Sequence, residues 1–411
     1  MTSSHAPSGT RDTASTRRGR RRFGLVAAAA SLLLPLAMTA TAAAATPSAQ
    51  PSAGAAVQVP VLPRPTGHDA VGRITAEMTD AHRTDPWVPS AGPRKLMVSL
   101  FYPARRGTGS GPAPYMTTAE ARDFLADKAP SAVPFAPEMA ATREWARADA
   151  VPSGGRHPLV LLSPGFTFPR ATLTSLSEDL ASHGYVVALV GATYEDTGTT
   201  FPDGTTLTCA ICDQPPAGGV AAIARSRAKD ISFVVDQLTH RPASGDAPLA
   251  RVEKSIDAKR IGMAGHSIGG DATAAAMAHD QRIRAGVNLD GTFFYQVPKT
   301  GLGNRPFLMI NHVMPGVTDK TWTKAWSRLT GYKRWFAVDG ADHGSFTDIH
   351  VLADAAGITG APGMTATISA SRGIAITRAY VRAFFDHTLE GRPEPLLNGS
   401  SPAYPEVSPQ P

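Results

Sequence analysis

Gly265-His266-Ser267-Ile268-Gly269-Gly270 sets a serine between glycines two residues before and two residues after it. The apolar run Arg260-Ile261-Gly262-Met263-Ala264 precedes it and reads as a buried strand. Asp271 to Ala278 follows and reads as a helix. Gly-x-Ser-x-Gly between strand and helix is a nucleophile elbow: a strained turn that lifts a serine hydroxyl above a sheet. A side chain at Gly265 or Gly269 is expected to collide with the neighbouring strand or helix. Serine at neutral pH needs a base, and the base needs a group that orients it. Downstream, the strand-like Ala285-Gly286-Val287-Asn288-Leu289 ends at Asp290-Gly291. The strand-like Arg334-Trp335-Phe336-Ala337-Val338 leads into a loop that holds His343. We read Ser267 as nucleophile, His343 as general base and then acid, and Asp290 as the acid that orients His343.

Each assignment has a plainer rival. Ser267 would also serve as a helix N-cap, although the flanking glycines favour the elbow. Asp290-Gly291 is also a common turn pair. Asp342 and Asp339 are rival acids, but both lie close to His343 in sequence. Of the twelve histidines, His266 is expected to pack beside the nucleophile. His312, at the end of the run Phe307 to Asn311, is placed to line the pocket. His183, in a Ser-His-Gly turn, reads as structural.

Acyl transfer also needs donors for the developing oxyanion. One is the backbone N–H of Ile268, directly after the serine. The second is expected after the strand-like run Pro158 to Ser163, where Pro164-Gly165-Phe166-Thr167 forms a loop. Gly165 lets the backbone approach a substrate, and the Phe166 N–H is the second donor. Phe166, with Phe293 and Phe294 just beyond Asp290, is expected to give the substrate an apolar rim. The alternative for Phe293 and Phe294 is a place in the core under their loop.

These residues require a frame. Apolar strand-like runs alternate with helical patterns along most of the chain, which predicts an α/β fold with a mostly parallel sheet and helices on both faces. Opening strands are expected at 71–79 and 95–102. Helices are expected at 117–128, 171–182, 220–239, 319–329 and 373–389, the first opened by the capping box Thr117-Thr118-Ala119-Glu120. Trp322 and Trp326, four apart, share a helix face and read as core.

At this point the chain resembles platelet-activating-factor acetylhydrolases and related bacterial lipases of the α/β-hydrolase superfamily. The resemblance rests on Leu161 to Phe166, Asp179 to Val187, the loop Phe201 to Thr205, Gly265 to Gly270, and above all Asp280 to Gly291. It runs from about Val71 to Gly391. It implies the α/β-hydrolase fold, the triad Ser267, Asp290 and His343, and the Phe166 and Ile268 oxyanion donors. Pro164 departs from it, because the acetylhydrolases usually carry His before that Gly. There the loop is similar to the Pro-Gly-aromatic-Thr of cutinase-like polyester hydrolases, a difference that bears on the substrate.

Residues 1–45 read as an export signal, with Arg17 to Arg22 as a basic opening, an Ala/Leu-rich core and small residues at 42–45. Arg20-Arg21-Arg22-Phe23 also fits a twin-arginine pattern, and ordinary secretion is the alternative. The apolar core is short for a membrane span. This leader holds six Arg and one Asp, so of the formal net charge of +6 only about +1 belongs to the rest. No basic stripe remains to attract nucleic acid. Residues 46–60 read as a disordered linker, 61–392 as the catalytic domain, and 393–411 as a Pro/Ser-rich tail without structure of its own. The two cysteines, Cys209 and Cys212, have no second pair that would complete a zinc site, and in an exported chain they read as a disulfide. The expectation is thus a secreted serine ester hydrolase, acting on lipid or other small esters without metal or organic cofactor. A cutinase-like polyester hydrolase, a serine peptidase and a non-catalytic binding module are the alternatives.

Overall fold

The computed structural model describes residues 58–411 except 215, 241–246, 315, 318 and 360–362. The expected signal segment and most of the linker therefore lie outside the described residues.

Among the described residues ten strands build the main sheet, nine of them longer than two residues: β1 (Ala70–Thr84), β2 (Pro93–Ala104), β3 (His157–Ser163), β4 (Val186–Val190), β5 (Ile256–His266), β6 (Ile283–Leu289), β7 (Phe307–His312), β8 (Lys333–Val338) and β9 (Val407–Pro409). They lie in the order β9-β8-β7-β6-β5-β3-β4-β2-β1, with the two-residue strand Arg147–Ala148 outside β1. From β8 to β4 every pairing is parallel; the β4–β2 and β2–β1 pairings on one side and the β8–β9 pairing on the other are antiparallel. This is the expected α/β-hydrolase architecture.

Burial explains why so many strands read as unbroken apolar runs. Leu159, Val160, Leu161 and Leu162 of β3 are all fully buried, because helices cover both faces of a parallel sheet. Leu159 and Leu161 face a cluster with α3 (Val220–His240) and α4 (Ile268–His279). Val160 and Leu162 face the opposite cluster, with α2 (Thr174–Ser182) and α6 (Ala370–Glu390). Period-2 alternation thus sorts one strand into two cores. Trp322, on α5 (Lys320–Arg328), joins the first core, with Trp326 packed against it, as expected of that pair. The capping box forms: Thr117 accepts from the Glu120 N–H and opens α1 (Thr118–Lys128).

β3 is followed in sequence by its neighbour on one side, β4, and β5 lies on its other side. Strand order therefore reverses between β3 and β5, and in open α/β sheets ligands bind at that switch point, beyond the carboxyl ends of the strands. Those ends are Ser163, leading into Pro164, and His266, leading into Ser267.

The tail departs from expectation. Residues 395–398 form a 3-10 turn, and β9 pairs antiparallel with β8. Val407 is buried, Arg372 bridges Glu406 at 2.7 Å, and Tyr404 packs on Tyr380. Proline at 409 suits an edge strand, which needs only one hydrogen-bonding side.

Candidate active site

Ser267 connects β5 to α4 with φ 56° and ψ −125°, a strained conformation for a residue with a side chain. A Cβ at Gly265 would lie 2.1 Å from the Gly269 backbone, and one at Gly269 would lie 2.1 Å from the Ser163 carbonyl oxygen. Both glycines are therefore required by close approach, as the sequence predicts. The turn is tied down from the next strand, since the Ser267 N–H donates to the Leu289 carbonyl at 2.8 Å.

Asp290 stands at the tip of β6 with φ 58°. His343 opens a 3-10 turn after β8. The His343 Nδ1 lies 2.5 Å from Asp290 Oδ2. A carboxylate only accepts, so Nδ1 carries the proton and Nε2 is left as the basic nitrogen. The His343 side chain is 43 % exposed while that of Asp290 is 5 % exposed, an imidazole at the rim over a buried carboxylate. No hydrogen bond joins the Ser267 hydroxyl to His343, and such contacts commonly tighten only with substrate bound. His266, the serine's neighbour in sequence, has its ring centroid 4.5 Å from that of His343.

A second imidazole shares the acid. His312, at the end of β7, places Nδ1 2.8 Å from Asp290 Oδ2, and its backbone N–H donates to Oδ1 at 3.0 Å. Burial pushes the Asp290 carboxyl up, but the His312 and His343 hydrogen bonds and charges outweigh it and hold the group at about 2. Burial lowers His312, and its bond to Asp290 more than compensates, raising it above the ordinary imidazole range. The sequence places His312 at the pocket without showing its grip on the acid. Asp290, His312 and His343 are also the metal-compatible cluster found among the described residues. Both imidazoles, however, lie at direct hydrogen-bonding distance from the same carboxylate oxygen, an arrangement of N–H donors with no gap for an ion.

His266 packs, as expected. It is fully buried, stacks on Phe168, and its Nε2 donates to the His343 carbonyl at 2.7 Å. Burial, with the nearby His343, lowers its pKa to about 3, so it stays neutral. It acts as a peg under the His343 backbone.

Asp342, the rival acid, bonds to other groups than the His343 ring. Its oxygens accept from Ser345, from His350 at 2.7 Å, and from the N–H groups of Thr365 and Ala366. It shapes the loop that presents His343. Asp339 donates its backbone N–H to Glu406 of the tail. His183 meets Thr66 and Arg382 and is structural.

Two positioning groups escape a reading by motif. Asn288 is fully buried on β6, two residues before the acid; its amide accepts from the Gly291 N–H and donates to the Gly291 carbonyl, each at 2.8 Å. Asp271, on the elbow helix α4, accepts from the Tyr295 N–H at 2.9 Å. Burial pushes Asp271 up to about 8. Both clip the loop after Asp290 against the elbow, and both sit inside segments that read simply as strand and helix.

The loop after β3 holds Phe166, the expected second oxyanion donor. Phe166 is half-buried there, and α4 begins at Ile268, whose N–H belongs to the first helical turn, where donors lack helical partners. The three rim aromatics divide. Phe294 is 48 % exposed, whereas Phe293 is fully buried against Phe307 and Trp322. Phe293 is thus core, because the backbone after Gly291 turns its ring under the loop. Cys209 and Cys212 form the expected disulfide. Among the described residues no helix is long and apolar enough to cross a membrane.

Comparison with known proteins agrees with this fold. Residues 242–392, which contain Ser267, Asp290 and His343, match the family described as platelet-activating factor acetylhydrolase, isoform II. A probable 1-alkyl-2-acetylglycerophosphocholine esterase of Arthroderma benhamiae is 28% identical over 375 residues, 84% of this chain and 93% of that one. Cutinase 2 of Thermobifida cellulosilytica is 29% identical over 130 residues, 32% of this chain and 38% of that one. A solved ferulic acid esterase from Streptomyces cinnamoneus superposes with a TM-score of 0.75 at 40% identity, covering 87% of this chain and 100% of that one.

Proposed function

Because this chain belongs to the α/β-hydrolase family of platelet-activating-factor acetylhydrolases and cutinase-like esterases, and is a carboxylic ester hydrolase, we propose that it is an exported serine esterase working through an acyl-enzyme. The observation that carries the catalytic reading is the 2.5 Å contact from His343 Nδ1 to Asp290 Oδ2 beside the elbow serine. Ser267 Oγ attacks the ester carbonyl while His343 Nε2 takes its proton. The backbone N–H groups of Phe166 and Ile268 receive the oxyanion. His343 returns the proton to the departing alcohol. Water, deprotonated by the same nitrogen, then releases the acid and frees Ser267. Asp290 holds the tautomer and balances the imidazolium. None of these steps calls for a metal or organic cofactor. Export is supported by the basic, then Ala/Leu-rich leader.

Replacing Ser267 with Ala is expected to abolish hydrolysis of p-nitrophenyl butyrate while the melting curve stays that of the wild type. An organophosphate is expected to label Ser267 stoichiometrically. Labelling of a different serine would sink the assignment.

For the substrate, the half-buried Phe166 and exposed Phe294 favour neutral, apolar esters. A second reading, aromatic acyl esters of the ferulate kind, is favoured by the 40% identity to the ferulic acid esterase. Specificity constants for methyl ferulate, p-nitrophenyl esters of graded chain length and polyester film separate these readings. Turnover of amides instead would indicate a peptidase, and no turnover at all a binding module.

A further inference from the structure

We propose that Arg227 is a positioning residue for the oxyanion loop, aiming the Phe166 N–H by gripping the carbonyls on the loop's inner side. The proposal rests on the serine-esterase reading above. Arg227 lies on α3, two per cent exposed, behind the loop that follows β3. Its Nη1 donates to the Pro164 carbonyl and, at 3.1 Å, to the Ser163 hydroxyl. Its Nη2 reaches the Gly165 carbonyl at 3.5 Å, and the Phe168 N–H donates to that same oxygen at 3.3 Å. In a trans, planar peptide the C=O and the following N–H point in opposite directions. Holding the Gly165 carbonyl inward therefore turns the Phe166 N–H outward, away from the guanidinium. Phe166 N–H itself has no protein acceptor among the described residues.

The grip is built into a charge-balanced interior. Arg227 Nε pairs with Glu195 Oε2 at 2.6 Å. Glu195 Oε1 accepts from Trp87 Nε1 at 2.7 Å, and the Glu195 backbone carbonyl accepts from the Thr167 N–H at 2.9 Å. Thr167 has φ 66° and needs such an anchor. Arg94, wholly buried, joins Glu195 at 3.6 Å to Asp85 and Asp230, each at 2.9 Å. Arg83 also pairs with Asp230, so three arginines face three carboxylates. A buried ion pair is a poor source of stability, since apolar side chains of like volume often serve as well or better. What an apolar side chain cannot do is hold two carbonyl oxygens at fixed angles. One segment, Thr193 to Thr197, and one arginine thus clamp the loop from a side that substrate does not touch.

The test is steady-state hydrolysis of p-nitrophenyl acetate by the full chain. The variants are Arg227→Lys, Arg227→Met/Glu195→Gln and, as control, Ser267→Ala. The double variant removes both charges together and leaves neither unpaired. It is expected to lower kcat roughly 10- to 100-fold, below the loss for deleting a whole oxyanion donor, with KM changed less than about threefold. Inhibition by phenylboronic acid, whose adduct with serine is a tetrahedral anion, is expected to weaken by the same factor as kcat. Arg227→Lys, with one point charge for several acceptors, is expected to fall between wild type and double variant, and it decides the matter if the double variant does not fold. A folded variant with kcat and boronate affinity within twofold of wild type overturns the proposal. Proportional loss of kcat and of folded protein, with boronate affinity per folded molecule unchanged, also overturns it. If Ser267→Ala retains activity, the failure lies in the esterase reading instead.

Discussion

Asp290 is the residue on which the most geometry converges, with two imidazole nitrogens on one oxygen and a backbone N–H on the other. Asp290→Asn is expected to lower kcat by about 10⁴-fold through the wrong imidazole tautomer. Asp342→Asn is expected to act mainly on stability, and the reverse ranking in kinetics would show the wrong carboxylate was chosen. Because the folded Asp290 carboxyl is depressed to about 2, its contribution to stability is fully present above pH 4. It is lost as the pH falls through 2, to the extent of about 2 kcal/mol. Acid unfolding of Asp290→Asn against wild type should show that difference closing below pH 4. His312 has the opposite sign. Its pKa is raised in the folded state, so it stabilises below its unfolded value of about 6.5 and the benefit fades as pH rises through the folded value. The melting-temperature gap between wild type and His312→Ala is expected to be larger at pH 5 than at pH 9. A gap independent of pH would mean that His312 contributes packing alone. The meeting of Asp290 with His343 was legible because each follows an apolar strand, a position that period and turn residues reveal. The His312 contact was not legible, because the pairing of β6 with β7 sets which two strand tips meet, and no motif encodes it.

At the scale of elements, the glycines separate close approach from conformational need. Gly265→Ala puts a methyl 2.1 Å from the Gly269 backbone, where neither strand nor helix can yield. It is expected to cost about 3 kcal/mol or more, or to prevent folding. Gly184→Ala meets nothing within 4 Å, and only its φ of +98° opposes a side chain. Its cost is expected near 1–2 kcal/mol. Chemical denaturation of the two variants checks the contrast, and equal losses would refute the crowding at the elbow. The central strands and long helices were readable from periodicity, since α3 and α6 carry their apolar stripes over 21 residues each. The tail strand β9 was not. Three residues that include two of Ser and Pro carry no period, and only an open edge on β8 recruits them. Phe293 was ambiguous for a related reason: an aromatic after a Gly turn points in or out according to φ/ψ that composition does not fix.

For the whole molecule, one end of the sheet is closed by the antiparallel strand β9, beside the loop that carries His343. Deleting residues 403–411 removes the Glu406 bridge and the Glu406 carbonyl that holds the Asp339 N–H. The expected result is a lower melting temperature and a fall in kcat larger than in substrate affinity, as the histidine loop loses its footing. Unchanged kcat would detach tail from site. The Cys209–Cys212 disulfide joins residues three apart in sequence, so breaking it is expected to cost about 2 kcal/mol or less. Thiol titration of the denatured, unreduced protein should find none free. The export signal and the linker were read from composition, and all of the first and most of the second lie outside the described residues. The exposure of His343 has one more consequence. A base that faces solvent over two-fifths of its side chain does not oblige its substrate to be swallowed. An ester linkage within an immobile polyester film, one of the substrates weighed above, can be met from the side. Attack would then fall on interior linkages as readily as on chain ends, and the first soluble products from a solid would be a ladder of oligomers rather than monomer alone.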